Sequence, residues 1–237
     1  MEWQDQGVLL SVRRHGESAA IIEVLSEHHG RHAGLVRGGG ARKNAALLQT
    51  GTQLSLTWRA RLEDQLGSFT VELLRSRAAA LLADRQKLYA FNAISAMFVR
   101  YLPEREPNRD LYNGFIDLLT RLQGDDFWQH RFCRLELELL ESLGYGVDLS
   151  SCAVSGQTDD LTHVSPKSGR AVSRESAHGW EDRLLQYPAF LQQETLARIN
   201  PAEFKASLLL SGHFFEKWIP SSPAGLPESR RRLLEVV

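Results

Sequence analysis

Cysteine is nearly absent from this chain: only Cys133 and Cys152 occur in 237 residues. Two thiols are too few for a disulfide framework or a cysteine-based zinc site, and their number suits a reducing compartment. Long apolar runs are missing as well; none approaches the roughly 20 residues of a membrane span. The start, MEWQDQG, is acidic and polar and lacks the basic and apolar regions of a signal peptide, so the sequence reads as soluble and cytoplasmic. Catalytic signatures are missing too. There is no Gly-Lys dipeptide, which a P-loop needs to bring an ammonium onto phosphates held by loop amides. There is no Gly-x-Ser-x-Gly elbow and no His-Glu-x-x-His pair. These absences point away from an enzyme.

A large net charge is also lacking: 28 basic and 29 acidic residues leave −1. The charge is unevenly spread. Residues 1–80 carry ten Lys/Arg against eight Asp/Glu, whereas 104–160 carry five against twelve, a local balance of −7. Within the first block, residues 29–61 hold Arg31, Arg37, Arg42, Lys43, Arg59 and Arg61 and not one acid. An acid-free basic island on a near-neutral protein attracts a polyanion locally without costing solubility.

What is present at the start is strand. GVLLSVRR, SAAIIEVL, GRHAGLVR, TQLSLTWRARL and SFTVELL are β-favouring runs parted by turn material such as His15-Gly16-Glu17. Five strands with GGGARKNAALLQTG inserted between the third and fourth is the order of an OB-type barrel; an SH3-like barrel fits the pattern as well. In the fourth run, Leu54, Leu56, Trp58, Ala60 and Leu62 share one face, while Gln53, Ser55, Thr57, Arg59 and Arg61 share the other. Trp58 therefore belongs to the core and is not a base-stacking platform.

Residues 78–147 read as helices. One stops at Pro103, one follows from PNRD, and one starts after Asp125-Asp126 and ends at Gly144, a C-cap glycine. The aspartate pair suits the exposed amides of a first turn, and Cys133 shares the stripe of Leu137 and Leu140 as a core thiol. Residues 147–177 are rich in Ser, Gly and Asp and read as an irregular knuckle. Afterwards RLLQYPAFLQQETLARI, PAEFKASLLLSGHFFEKWI and ESRRRLLEVV read as helices. The organisation is α+β: residues 1–77 read as a five-stranded small-barrel domain carrying the basic island, and 78–237 as a helical domain containing the knuckle at about 147–177.

The triple glycine 38–40 followed by Arg42 and Lys43 invites a phosphate-cradle reading, but the third glycine of a dinucleotide fingerprint is missing. The stretch reads instead as a flexible hinge that lets the two cations follow a nucleic-acid backbone. His28, His29 and His32 suggest a metal only superficially, because alternate strand positions point apart. The candidate DNA contacts are Arg13, Arg14, Arg31, Arg37, Arg42, Lys43, Arg59 and Arg61. No catalytic residue, metal ligand or cofactor is expected. The rival reading is a protein-binding adaptor whose basic face meets an acidic partner tail.

The run from GVLLSVRRHGESAAIIEVL through GRHAGLVRGGGARKNAALLQTG, together with LGYGVDL and SPKSGRAVSRE further on, resembles the RecO family of bacterial recombination mediators over nearly the whole chain. The resemblance implies an N-terminal OB-fold, a helical middle and a small C-terminal knuckle. It implies binding of single- and double-stranded DNA, annealing of complementary strands, and work with RecR and the tail of single-stranded DNA-binding protein to load RecA, without nucleotide hydrolysis, membrane contact or cofactor. The resemblance also brings a departure. Members with a zinc knuckle have two Cys-x-x-Cys pairs, and here Cys152 alone stands at a ligand position, followed by Ala153, Val154 and Ser155. A degenerate, zinc-finger-like knuckle without metal is expected, with Asp159, Ser165, Lys167 and Arg174 supplying hydrogen bonds in its place.

Overall fold

The computed structural model describes residues 1–40, 47–62, 64–77, 81, 83–124, 127–193, 195–219 and 225–237. Arg42 and Lys43 of the basic loop, and the Asp125-Asp126 pair, lie outside the described residues. The chain is mixed α+β and divides into two compact units, Met1–Gly124 and Asp125–Val237.

The first unit starts with β1 (Glu2–His15), β2 (Ala19–Ser26), β3 (Gly30–Val36), β4 (Gln53–Arg59) and β5 (Ser68–Arg75). They close into a barrel in the order β1-β2-β3-β5-β4, with β3 and β5 parallel and every other pair antiparallel. The alternation of β4 sets the core: Leu54, Leu56 and Trp58 turn inward onto Leu9, Ile22, Val24 and Phe69. Burying an indole of this size removes roughly 200 Å² from water, about 5 kcal/mol at the usual rate per area. The Trp58 Nε1–H donates to the Leu66 carbonyl at 3.1 Å, so its one polar atom is satisfied.

Strand four is shorter than the sequence predicts. It ends at Arg59 because its partner β1 begins at Glu2, and the Ala60 amide makes the last contact, to the Met1 carbonyl. Leu62 is consequently exposed rather than inward, and Arg61 lies in the β4–β5 connection rather than on a strand face.

Helix α1 (Arg85–Tyr101) starts at Asp84, whose carboxylate accepts from the amides of Gln86 and Lys87. It stops before Pro103, which biases the preceding residue away from helical angles. Helix α2 (Arg109–Arg121) is capped by Asn108 and packs Phe115 edge-on against Phe98 of α1, 5.0 Å between centroids. The connection between them lies along β3. The Arg105 amide donates to the Arg31 carbonyl at 2.8 Å, and Glu104 bridges to Arg31 in parallel fashion. Arg105 takes a left-handed backbone, φ 64°, to do so.

In the second unit, α3 (Trp128–Ser142) is followed by Gly144 at φ 82°, the expected C-cap. The segment after it folds into β6 (Leu161–Val164), β7 (Ala171–Ser173), the single turn α4 (Arg174–Ala177) and β8 (Leu185–Gln186), giving a sheet in the order β7-β6-β8. The helix expected over RLLQYPAFLQQETLARI is not formed. Leu185 and Gln186 pair with β6, Pro188 removes an amide from the middle, and the helical turns among the described residues here are two short 3-10 turns, Glu181–Arg183 and Ala189–Gln192. Helix α5 (Pro201–Lys217) opens with a full capping box between Asn200 and Glu203, and α6 (Glu228–Glu235) closes the chain.

Candidate nucleic-acid interface

Two turns at one end of the barrel are stitched together. The Gly40 amide donates to the Ser18 carbonyl at 3.1 Å, and the Gly39 amide to the Val36 carbonyl at 3.2 Å. A side chain at position 39 would meet Ala20 and Leu48, so the glycine there permits close backbone approach. Gly38–Gly40 are thus a pinned turn, which corrects the hinge reading: this stretch is held against the β1–β2 hairpin.

That stitching brings basic residues to one end. Arg13 and Arg14 are exposed on the last rungs of β1, opposite Ile21 and Ala20, beside the β1–β2 turn. Arg37 is exposed directly after β3 and has no acidic partner among the described residues. Arg37 and Arg59 line a common groove of about 470 Å³, with Ser68 and Thr70 as hydroxyl donors and Phe69 and Leu47 as apolar wall. Arg59 donates to Glu2 at 2.7 Å across the β1–β4 ladder, and that donation holds the Glu2 carboxyl below its ordinary range. Both partners are about half exposed, so a phosphate can compete for this guanidinium.

The other expected contacts separate from this group. Arg31 is at the opposite end of β3 and is largely buried, its Nε donating to the Leu102 carbonyl at 2.8 Å and its Nη1 to Glu23 at 2.6 Å and Glu104 at 3.4 Å. It fastens the α1–α2 connection to the barrel. Arg61 sits in the β4–β5 connection, away from the strand face that the sequence assigned to it.

The three histidines also part company. His32 is buried among Trp3, Trp58 and Phe69, edge-on to each, and neither ring nitrogen has a hydrogen-bond partner among the described residues. Burial first, then the charges of Arg105 and His29, lower its pKa to about 4. His28 and His29 instead converge on one carboxylate, each placing Nδ1 3.0 Å from a different oxygen of Asp5. His32 is thus apart from the other two, which lie in the turn before β3 and meet at one carboxylate.

The segment 147–177 is organised around Cys152. Its buried sulfur accepts from the amides of Val154 (3.5 Å), Ser155 (3.4 Å) and Ser173 (3.3 Å), and lies 3.6 Å from the Ser176 hydroxyl. Burial pushes the thiol up, and the donors from Ser155 and Ser173 outweigh it, bringing the pKa to about 5. Ser155 stands three residues after Cys152, and Ser173 and Ser176 repeat the same spacing. One thiolate and three hydroxyls do not match the donor set of structural zinc, and the residues present do not fit that ion. The Ser-x-x-Ser at 173–176 was the signal for this arrangement in the sequence. Of the expected hydrogen-bonding residues, Arg174 pairs with Asp160 at 3.1 Å and Ser165 Oγ accepts from the Ser168 amide. The side chains of Asp159 and Lys167 make no hydrogen bond among the described residues.

No helix among the described residues is long and apolar enough to cross a membrane. Two family models match the chain: recombination protein O N terminal over residues 1–77, and recombination protein O C terminal over residues 82–223. The chain is 50% identical to the DNA repair protein RecO of Roseobacter denitrificans over 237 residues, covering 99% of this chain and 98% of that protein. The RecO proteins of Rhodospirillum rubrum (46% identical; 99% of this chain, 96% of that protein) and Mesorhizobium japonicum (43%; 92% and 86%) are further relatives.

Proposed function

This chain belongs to the recombination protein O family of DNA repair proteins, and we propose that it is a non-catalytic recombination mediator that binds DNA through the basic end of its barrel. On this reading the barrel is an OB-fold and the segment 147–177 a metal-free knuckle. The protein binds single- and double-stranded DNA, anneals complementary strands, and works with RecR and the tail of single-stranded DNA-binding protein to load RecA.

The groove shared by Arg37 and Arg59, beside the pinned glycine turn and the Arg13–Arg14 hairpin end, carries the reading. Phosphate contact needs donors reaching outward from a rigid sheet and a backbone that permits close approach, and this end of the barrel supplies both. The contact set proposed is Arg13, Arg14, Arg37 and Arg59, together with Arg42 and Lys43 of the loop that follows the turn. Arg31 is left out because its donors are engaged within the fold, and Arg61 is peripheral.

One neutralised phosphate per cation of this set predicts a slope of roughly −4 in log K against log salt on single strands. Fluorescence anisotropy with a labelled oligonucleotide at several salt concentrations measures it. Replacing Arg37, Arg42 and Lys43 together by alanine should weaken binding and flatten the slope by about 2. An unchanged slope in a folded triple variant would move the DNA site elsewhere.

A further inference from the structure

Away from the basic end, the start of β1 and the β2–β3 turn bring together two carboxylates and two imidazoles. One ligand atom each from Asp5, Glu27 and His28 lies within 4.8 Å of the others. The carboxylates are shielded: the side chains of Asp5 and Glu27 are 2% and 12% exposed. Each carboxylate is oriented by donors other than the His28 ring. Asp5 Oδ2 accepts from the His28 amide at 2.8 Å and faces His29 Nδ1 at 3.0 Å, while Glu27 Oε2 accepts from Gln6 Nε2 at 2.6 Å.

The other two oxygens face His28, and Asp5 Oδ1 also accepts from the Gln6 amide at 2.8 Å. Asp5 Oδ1 lies 3.0 Å from Nδ1, and Glu27 Oε1 lies 3.9 Å from Nε2. Outer donors that fix one oxygen of each carboxylate while the other faces an imidazole are the support that metal ligands characteristically receive. His29 is itself fixed, stacked on Trp3 with centroids 4.0 Å apart and planes 6° from parallel.

We propose that Asp5, Glu27 and His28 form a binding site for one divalent transition-metal ion of the zinc type, which clasps the start of β1 to the β2–β3 turn. Zinc bonds to nitrogen and carboxylate oxygen are about 2.0–2.2 Å, so donors around a tetrahedral ion stand roughly 3.4 Å apart. The cluster reaches that spacing with movements on the order of 1 Å by Glu27 and the exposed His28, whose ring turns so that one nitrogen meets both carboxylates. Mixed imidazole and carboxylate donors suit zinc, whereas magnesium and calcium favour all-oxygen sets. Water fills the fourth position.

A cation already stands at this place. Arg109, exposed at the start of α2, donates to Glu27 Oε1 at 3.0 Å. It competes with the metal for the same oxygen, so binding the ion releases Arg109 from the turn.

The site is independent of the DNA reading, and its test uses no DNA. Full-length protein is stripped with chelator, and zinc binding is measured by equilibrium dialysis with elemental analysis and by calorimetry. One tight equivalent is expected, lost at least 10-fold in affinity in His28→Gln and in Glu27→Gln, and unchanged in His178→Gln, a control on a fully surface histidine. Arg109→Gln should tighten binding several-fold, an effect that a merely structural role for these residues would not produce. Cys152→Ser should leave the equivalent in place. His28 is exposed and its glutamine variant should fold; urea midpoints without metal check this for each variant. Absence of a stoichiometric ion, or an ion that survives His28→Gln and Glu27→Gln and departs with Cys152→Ser, overturns the proposal.

Discussion

Glu136 of α3 and Arg230 of α6 are fully buried and meet through two charge-assisted hydrogen bonds, 2.5 and 2.9 Å. Ser211 of α5 donates its hydroxyl to the same carboxylate at 2.6 Å, and the Leu208 carbonyl accepts from Arg230 at 2.8 Å. Three helices are thereby tied at one polar point inside an apolar unit. Removing one partner strands a charge where water does not reach, whereas removing both leaves an apolar gap that packing can close. Arg230→Ala should cost about 3–5 kcal/mol in urea unfolding, and the double variant Glu136→Leu, Arg230→Met should recover much of it. His32 gives a second residue-level expectation. Its folded pKa, about 4, lies below the ordinary 6.5, so between these values the unfolded chain binds a proton that the folded one refuses. Its contribution is therefore complete above pH 6.5 and shrinks as pH falls toward 4, a loss of about 2 kcal/mol from pH 7 to 5. Urea midpoints at the two pH values measure this, and His32→Phe should remove most of the dependence. Neither pair nor orphan could be read from the sequence, because burial at these positions is decided by residues 94 apart or by the closing of the barrel.

At the scale of elements, Gly30 carries the junction between the β2–β3 turn and the α1–α2 connection. Its φ is 65°, and a side chain there would fall onto the Glu106 carbonyl. Left-handed geometry alone costs an L-residue roughly 1–2 kcal/mol, and a fixed carbonyl cannot yield as a flexible side chain would. Gly30→Ala should destabilise by more than about 2 kcal/mol and raise exchange at the Arg105 amide, which donates to Arg31 next door. Hydrogen exchange with mass spectrometry reads both effects. The sequence marked this turn by His28-His29-Gly30 but could not show what approaches it. The same limit explains the other departures. Alternation placed Leu54, Leu56 and Trp58 correctly because period two is local, yet it ran on to Leu62 because the end of β4 is set by its partner. The apolar spacing over residues 183–199 mimics a helix, and the strand pairing of Leu185–Gln186 overrides it.

On the scale of the whole molecule, the near-zero net charge conceals the unequal shares that composition by segment already exposed. The six cations of residues 29–61 looked like one island, and folding sorts the four among the described residues by use. Arg37 and Arg59 share a groove, Arg31 is consumed in holding the barrel to the connection behind it, and Arg61 falls on a loop. Counting charge along a sequence finds an island; only the closure of the barrel decides which members face outward together. The order of motifs over the full chain was legible for a different reason, since the turns and glycines that carry it answer to local backbone geometry.

The knuckle has a bearing on supply as well as on shape. A loop organised by a sulfur and the amides around it forms from the chain alone, without waiting for an ion to be delivered. Exposure to a chelator should therefore leave this segment its internal scaffold of amide-to-sulfur bonds.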